Sequence, residues 1–264
     1  MKIAHASGYT AVDSVEDPAA LAVFMDLVAG CRGVDTGRRI VADGLGLRPG
    51  AALLDLGCGP GDHTRELAAR LAPGGRAVGF DLSQTMIDEA RRRACIADLP
   101  VEFEVGDAQK LPFADGEFDA CRTERMLIHV PDFRAALAEM VRVTRSGGRV
   151  GVLDADTESL ILDSTDRALT RRIVSSFTDS FQNGWIARQL PRLMTEAGLT
   201  ALTVEPYAVS FLPDVTEGIL DAHLAVMLTD GDLSPEAAET WRAEVVEAGS
   251  PAHMTMFAVV GVKE

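Results

Sequence analysis

From about residue 51 the chain alternates between short apolar runs and longer stretches whose apolar positions return every three or four residues. The mainly apolar stretches at 52–56, 77–80 and 149–153, and those at 101–105 and 118–122 where charged residues interleave with apolar ones, are closed by glycine or polar residues, and predict strands. The stretches between them predict helices: one after the glycines at 57–61, one capped by Ser83 and running to about 96, and one from Pro131-Asp132 to 144 with Leu137, Met140, Val141 and Thr144 on one side. Strands alternating with helices imply right-handed β-α-β units and a parallel sheet, which binds ligands at the carboxyl ends of its strands. Gly57, Asp81, Asp107, Thr123 and Asp154 all fall at those expected ends.

Two helices precede this core. Asp17-Pro18 opens the first, which continues through Leu21, Phe24, Met25 and Val28 to Gly30; the second covers 36–45. After the fifth strand, Leu169, Ile173, Phe177 and Phe181 repeat at helical spacing, followed by a short helix at 190–197. A strand at 202–209, a helix opened by a capping box of Asp214 and Glu217, a helix from Ser234-Pro235 to Gly249 and a last strand at 254–262 complete the chain. The expected fold is α/β: a Rossmann-like, doubly wound, mostly parallel seven-stranded sheet. It carries an N-terminal helical extension and helical insertions, able to serve as lids, after strand five and between strands six and seven. With no repeat or linker, residues 1–264 read as a single domain, with 1–48 as extension, 50–156 as ligand-binding core and 157–250 as a second, acceptor-side wall.

Composition narrows the ligands. The chain has 264 residues, 47% of them hydrophobic, and a net charge of −15. A surface built for nucleic acid phosphates is basic, so the acidic balance argues against nucleic acid and against an anionic membrane; Arg91-Arg92-Arg93 reads as a solvated helix face. Cys31, Cys58, Cys95 and Cys121 are widely spaced without a CxxC pair, which fits free thiols in a cytoplasmic protein and no zinc site. No apolar run approaches membrane-spanning length. Monomer and homodimer are both open.

The chemistry concentrates at Leu53-Leu54-Asp55-Leu56-Gly57-Cys58-Gly59-Pro60-Gly61-Asp62-His63-Thr64. A strand, a glycine turn and a helix start let backbone approach a ligand closely. The spacing is G-x-G-x-G, one residue short of the dinucleotide fingerprint, and the lysine of a phosphate-binding loop is absent. Asp81 can accept both hydroxyls of a ribose, Asp107 can reach an adenine amino group, and Leu82 and Met86 can sandwich the ring. Together these describe an adenosine site.

At this point the chain resembles a family. LLDLGCGPGDHT, GFDLS, GDAQKLPFADGEFDA, LIHVPD and SGGRV, in that order, are similar to the successive motifs of class I S-adenosylmethionine-dependent methyltransferases, in particular the group related to ubiquinone/menaquinone-biosynthesis enzymes. The resemblance covers about residues 50–156 and continues more weakly through RQLPRLMTEAGL and FAVVGVKE. It implies S-adenosyl-L-methionine as cofactor, with Asp55, Gly57, Cys58 and Gly59 around its methionine part, Asp81 on the ribose, Asp107 and Ala108 at the adenine, and Thr123 near the sulfonium. The implied activity is methyl transfer to a small organic molecule on O, N or C, by orientation and water exclusion and without a metal. The alternative is a cofactor-binding protein of the same fold that does not methylate. His129 stands where the group often has a histidine and is the candidate general base, with a structural role as the competing reading. Asp154, Asp156, Asn183, Trp185 and His223 fall in acceptor-facing regions, and Tyr9 and Arg38 can close over the methionine end.

Overall fold

Seven runs of extended chain are present: β1 (Ala52–Leu56), β2 (Arg76–Asp81), β3 (Val101–Val105), β4 (Phe118–Glu124), β5 (Thr144–Ile161), β6 (Leu199–Ser210) and β7 (His253–Lys263). In the computed structural model, which describes residues 13, 18–95, 99–247 and 251–264, they form one sheet in the order β3-β2-β1-β4-β5-β7-β6. β1 to β5 pair in parallel, and β7 lies antiparallel between β5 and β6. The strand order reverses between β1 and β4, which opens a crevice at their carboxyl ends.

Alternation along the strands assigns the layers. Leu54 and Leu56 face α5 (Phe133–Val143) and α7 (Ile186–Glu196), packing with Leu137, Met140, Leu190 and Met194. Leu53 faces the other way, toward α1 (Pro18–Ala29), α2 (Val34–Gly44) and α3 (Asp62–Leu71), where it meets Phe24, Val41 and Leu67. Each such fully buried aliphatic side chain contributes roughly 1.5–3 kcal/mol. Asp55 shares the face of Leu53, so its carboxyl enters the sheet beneath the N-terminal helices. α4 (Gln84–Ala94) follows β2. A third apolar cluster joins α6 (Arg167–Asp179), α8 (Pro213–Asp230) and α9 (Pro235–Arg242) through Ile173, Phe177, Leu220, Leu224 and Trp241.

The elements differ from the sequence expectations in four places. β5 is far longer than 149–153: Gly147-Gly148, expected to close a helix, lies inside the strand where the pairing slips between Phe118↔Thr144 and Ala120↔Arg149. Asp154 therefore stands within β5 and not at its end. α7 begins at Ile186 and tolerates Pro191 in its interior. α8 uses no capping box: it starts from Leu212 without a side-chain cap, with proline in its first turn, and the Glu217 carboxylate is taken by Arg242 at 2.8 Å. The expected ends at Ile96 and Gly249, the opening residue Asp17 and the candidate Tyr9 lie outside the described residues.

Candidate active site

The turn after β1 is bound to the end of β2. Gly57 and Gly59 have φ of 66° and 53°, values that suit glycine. A Cβ on Gly57 would stand 2.8 Å from the Met126 side chain. The Gly57 N–H donates to the Phe80 carbonyl at 2.7 Å, and the Gly59 N–H donates to the Asp81 carboxylate at 2.9 Å. The other Asp81 oxygen accepts from the Ser83 N–H at 2.9 Å, and the Ser83 hydroxyl caps α4 by accepting from the Met86 N–H at 3.1 Å. Burial pushes the Asp81 carboxyl above its ordinary pKa, against the pull of these two backbone donors. Asp13 covers the same helix start, accepting from the Gln84 and Thr85 N–H groups and the Ser83 hydroxyl.

A cavity of about 430 Å³ opens over this turn. Asp55, Gly57, Cys58, Gly59, Asp81, Leu82, Met86, Asp107 and Ala108 all line it, as do Arg38 and His129. Asp107 is anchored by its own turn, accepting from the Gln109 N–H at 2.8 Å. Burial raises the Cys58 thiol well above its ordinary pKa, which keeps it protonated. Thr123 is a correction: it does not line the cavity, because its fully buried hydroxyl donates to the Leu56 carbonyl at 2.8 Å. It clamps β4 to β1.

The strongest polar feature escaped the sequence reading. Glu124, at the end of β4, accepts from Arg38 Nε at 2.9 Å and 3.1 Å and from Arg122 at 2.8 Å, with Arg125 at 3.3 Å. Burial opposes its charge, but His63 and these guanidinium groups hold its carboxyl well below the ordinary range. Arg122, 1% exposed, also reaches Asp55 at 3.4 Å and donates to His63 Nδ1. Burial, then the Arg122 charge, depress the His63 pKa, consistent with a neutral ring accepting that bond. Asp55 in turn accepts from the Thr64 hydroxyl at 2.7 Å. The signal was present in FDACRTE: Arg122 and Glu124 are two apart, hence on one strand face whose other residues, Phe118 and Ala120, are apolar.

Beyond this network the cavity becomes an apolar chamber walled by Phe177, Phe181, Phe211, Ile219, Met254 and Met256. His129 lies against Phe181, ring centroids 5.6 Å apart, and burial followed by the Arg125 charge pushes its pKa down to about 4. The other residues expected to face the acceptor do not line the cavity. Asp154, fully buried, accepts from the Ala155 N–H at 2.9 Å and the Ile128 N–H at 3.3 Å. Asn183 donates to the Leu127 and Val130 carbonyls at 2.8 Å and 2.7 Å. Both residues brace the loop that carries His129. Asp156 pairs with Arg188, Trp185 is exposed with Arg188 over its ring, and His223 packs on Phe177.

Residues 53–148 match the family described as Methyltransferase domain. The chain is 37% identical over 243 residues to an uncharacterized 37.1 kDa protein in transposon TN4556 of Streptomyces fradiae, a match that covers 90% of this chain and 70% of that one. It is 44% identical over 120 residues to the demethylmenaquinone methyltransferase of Beutenbergia cavernae, covering 46% of this chain and 47% of that enzyme. Residues 53–148 thus carry a methyltransferase domain of the class I S-adenosylmethionine-dependent type. Its likeness to the demethylmenaquinone methyltransferase spans about half of that enzyme. The fold is shared with YcgJ of Bacillus subtilis, at a TM-score of 0.65 and 18% identity over 87% of this chain and 99% of that one. No helix among the described residues is long and apolar enough to cross a membrane.

Proposed function

We propose that this methyltransferase binds S-adenosyl-L-methionine over the glycine turn and methylates a small organic molecule seated in the apolar chamber. The observation that carries the reading is Asp81: a buried carboxylate, its pKa raised, held by Gly59 and Ser83 at the carboxyl end of β2. Such a group gains from further donors, and a ribose supplies two hydroxyls. The glycine turn leaves room for the cofactor's backbone-hugging part, Leu82 and Met86 offer apolar faces for the adenine, and Ala108 and Asp107 border its edge. Asp55, Gly57, Cys58 and Gly59 border the methionine part in this reading, close to the Arg38–Glu124 pair.

When bound, S-adenosyl-L-methionine supplies a methyl group already activated on a sulfonium. What the chain contributes is position and dryness: the turn and Asp81 orient one partner, and the aromatic and methionine side chains of the chamber keep water from the other. His129 is neutral across ordinary pH and borders the chamber without being required as a base. The reading treats residues 1–264 as one domain with 50–156 on the cofactor side and 1–48 and 157–250 on the acceptor side, working in the cytoplasm.

Calorimetric titration with S-adenosylhomocysteine tests it. We expect saturable binding that Asp81→Ala weakens by about tenfold or more, since charge-assisted hydrogen bonds of this kind are worth roughly 1.5–3 kcal/mol each. No binding at millimolar ligand would end the cofactor reading. Binding without methyl transfer to any of a broad panel of acceptors would favour the non-methylating alternative.

A further inference from the structure

We infer that the acceptor is an apolar organic acid, taken as a single oxygen-centred anion, and that Arg125 is the residue that holds its charge. The inference rests on the methyltransferase reading above and names the substrate class for that same chamber.

Three guanidinium groups border the junction between the glycine turn and the chamber, and their commitments differ. Arg38 spends its Nε on both oxygens of Glu124. Arg122 is divided among Asp55, Glu124 and His63 and is almost fully buried. Arg125 makes no side-chain hydrogen bond among the described residues; it has one 3.3 Å ion pair with Glu124, and its buried Nε has no hydrogen-bond partner. Its side chain is 27% exposed and lines the cavity. The backbone holds it there: Arg125 adopts a left-handed φ of 52° while its N–H donates to the Leu153 carbonyl at 2.7 Å. A non-glycine residue in that region costs of order 1–3 kcal/mol, which the surrounding structure must offset.

Charge balance then selects the ligand. Arg38, Arg122 and Arg125 share the Glu124 carboxylate, but Arg122 also reaches Asp55, and Arg38 faces Glu66 and Asp55 as well, so Arg125 is the guanidinium left with the least compensation. Asp154 also acts on Arg125 but is drawn toward its neutral form by burial, so its compensation is partial. A neutral hydrocarbon acceptor would desolvate the Arg125 guanidinium and leave it only its shared 3.3 Å ion pair with Glu124, which costs free energy. An ammonium group would meet a like charge. A diphosphate would bring more negative charge than the single least-compensated guanidinium can match. The walls complete the argument: Phe177, Phe181, Phe211, Ile219, Met254 and Met256 favour an apolar body, at roughly 0.8 kcal/mol per buried methylene. An acceptor already ionised has no proton to give up, in keeping with a neutral His129 that need not serve as a base.

Two families of acid share this chemistry, acidic hydroxyls (phenols and enols) and carboxylic acids. The test uses protein saturated with S-adenosylhomocysteine. 4-Nitrophenol is titrated by its anion absorbance, 4-nitrobenzoate by displacement of the nitrophenol, and 4-nitroanisole and methyl 4-nitrobenzoate serve as neutral counterparts. The expected result is that at least one acid binds about tenfold or more tightly than its neutral counterpart, with bound nitrophenol ionising at lower pH than free nitrophenol if the hydroxyl class is correct. Arg125→Gln should remove the preference, and Arg125→Lys, which keeps the charge, should retain most of it. Both variants are checked for an unchanged thermal transition. Equal binding of acids and neutral counterparts, no binding of either acid at millimolar concentration, or an undiminished preference in Arg125→Gln would overturn the inference while leaving cofactor binding intact. Loss of S-adenosylhomocysteine affinity in Arg125→Gln with unchanged acid preference would assign Arg125 to the cofactor and also overturn it. Failure of the wild-type protein to bind S-adenosylhomocysteine would instead remove the methyltransferase reading beneath it.

Discussion

Asp154 should make the protein lose stability as the solution becomes neutral. Its carboxyl is fully buried in β5, and burial pushes its pKa up to about 7 despite the backbone donors of Ala155 and Ile128 and the nearby Arg125. The unfolded chain carries an ordinary aspartate, near 3.9. Between about pH 5 and pH 7 the native state therefore holds a proton that the unfolded state has released. Stability falls with rising pH wherever the native state binds more protons. One proton corresponds to about 1.4 kcal/mol per pH unit, and the slope tapers as the native pKa is reached, so this group alone removes about 2 kcal/mol across that interval. Asp154→Asn cannot titrate. Its amide oxygen can keep the Ala155 N–H, but its NH₂ would replace the oxygen that accepts from Ile128, at a pH-independent cost of about 1 kcal/mol. Urea unfolding of both proteins at pH 5, 6, 7 and 8 cancels the other titrating groups in the difference. The variant should gain about 2 kcal/mol on the wild type between pH 5 and pH 7, with the gain levelling off above the native pKa. A difference that stays constant within about 0.5 kcal/mol across the series would refute the reasoning.

Three further outcomes are expected. Glu124→Gln should cost about 3–5 kcal/mol in urea unfolding, because it leaves buried guanidinium groups without their anion; since the native pKa of Glu124 is depressed, the wild type should lose the same contribution as pH falls below the ordinary glutamate range. Thr123→Val should cost about 1 kcal/mol of stability through its bond to Leu56 while changing S-adenosylhomocysteine affinity less than about twofold by calorimetry. The His129 ring resonances should show no titration between about pH 5.5 and 8 by NMR, since its pKa is pushed down to about 4; a midpoint near the ordinary 6.5 would show that the loop is open to water.

The sheet core was legible because its signals are local. β1 and β3 match the strands expected at 52–56 and 101–105 residue for residue, bounded by glycine or proline. The meeting of the glycine turn with Asp81 was legible for the same reason: a glycine turn and a carboxylate at the next strand end sit at fixed offsets in a β-α-β unit. The expected bounds missed where tertiary packing overrode local signals: β5 begins at Thr144 and absorbs Gly147-Gly148, and α7 begins at Ile186, against an expected start at 190, with Pro191 inside it. The charged network was hidden by distance along the chain. Arg38 and Glu124 are 86 residues apart, and Arg122 and His63 are 59 apart, so no local period links them. Thr123 misled in the opposite sense: its position at a strand end was read correctly, but a hydroxyl there can turn to the neighbouring strand as easily as to the crevice.

The interlocked charges beside the glycine turn bear on how such a protein can diverge. Replacing Asp55, Glu124 or Arg122 singly with an apolar residue strands at least one opposite charge in a buried place, so change there must come in compensated pairs. The chamber walls obey no such rule. Phe177, Ile219 or Met254 can be exchanged one at a time for another apolar side chain, reshaping the cavity at modest cost. One end of the site is thus inherited as a block, while the other is free to drift in single steps toward a new acceptor.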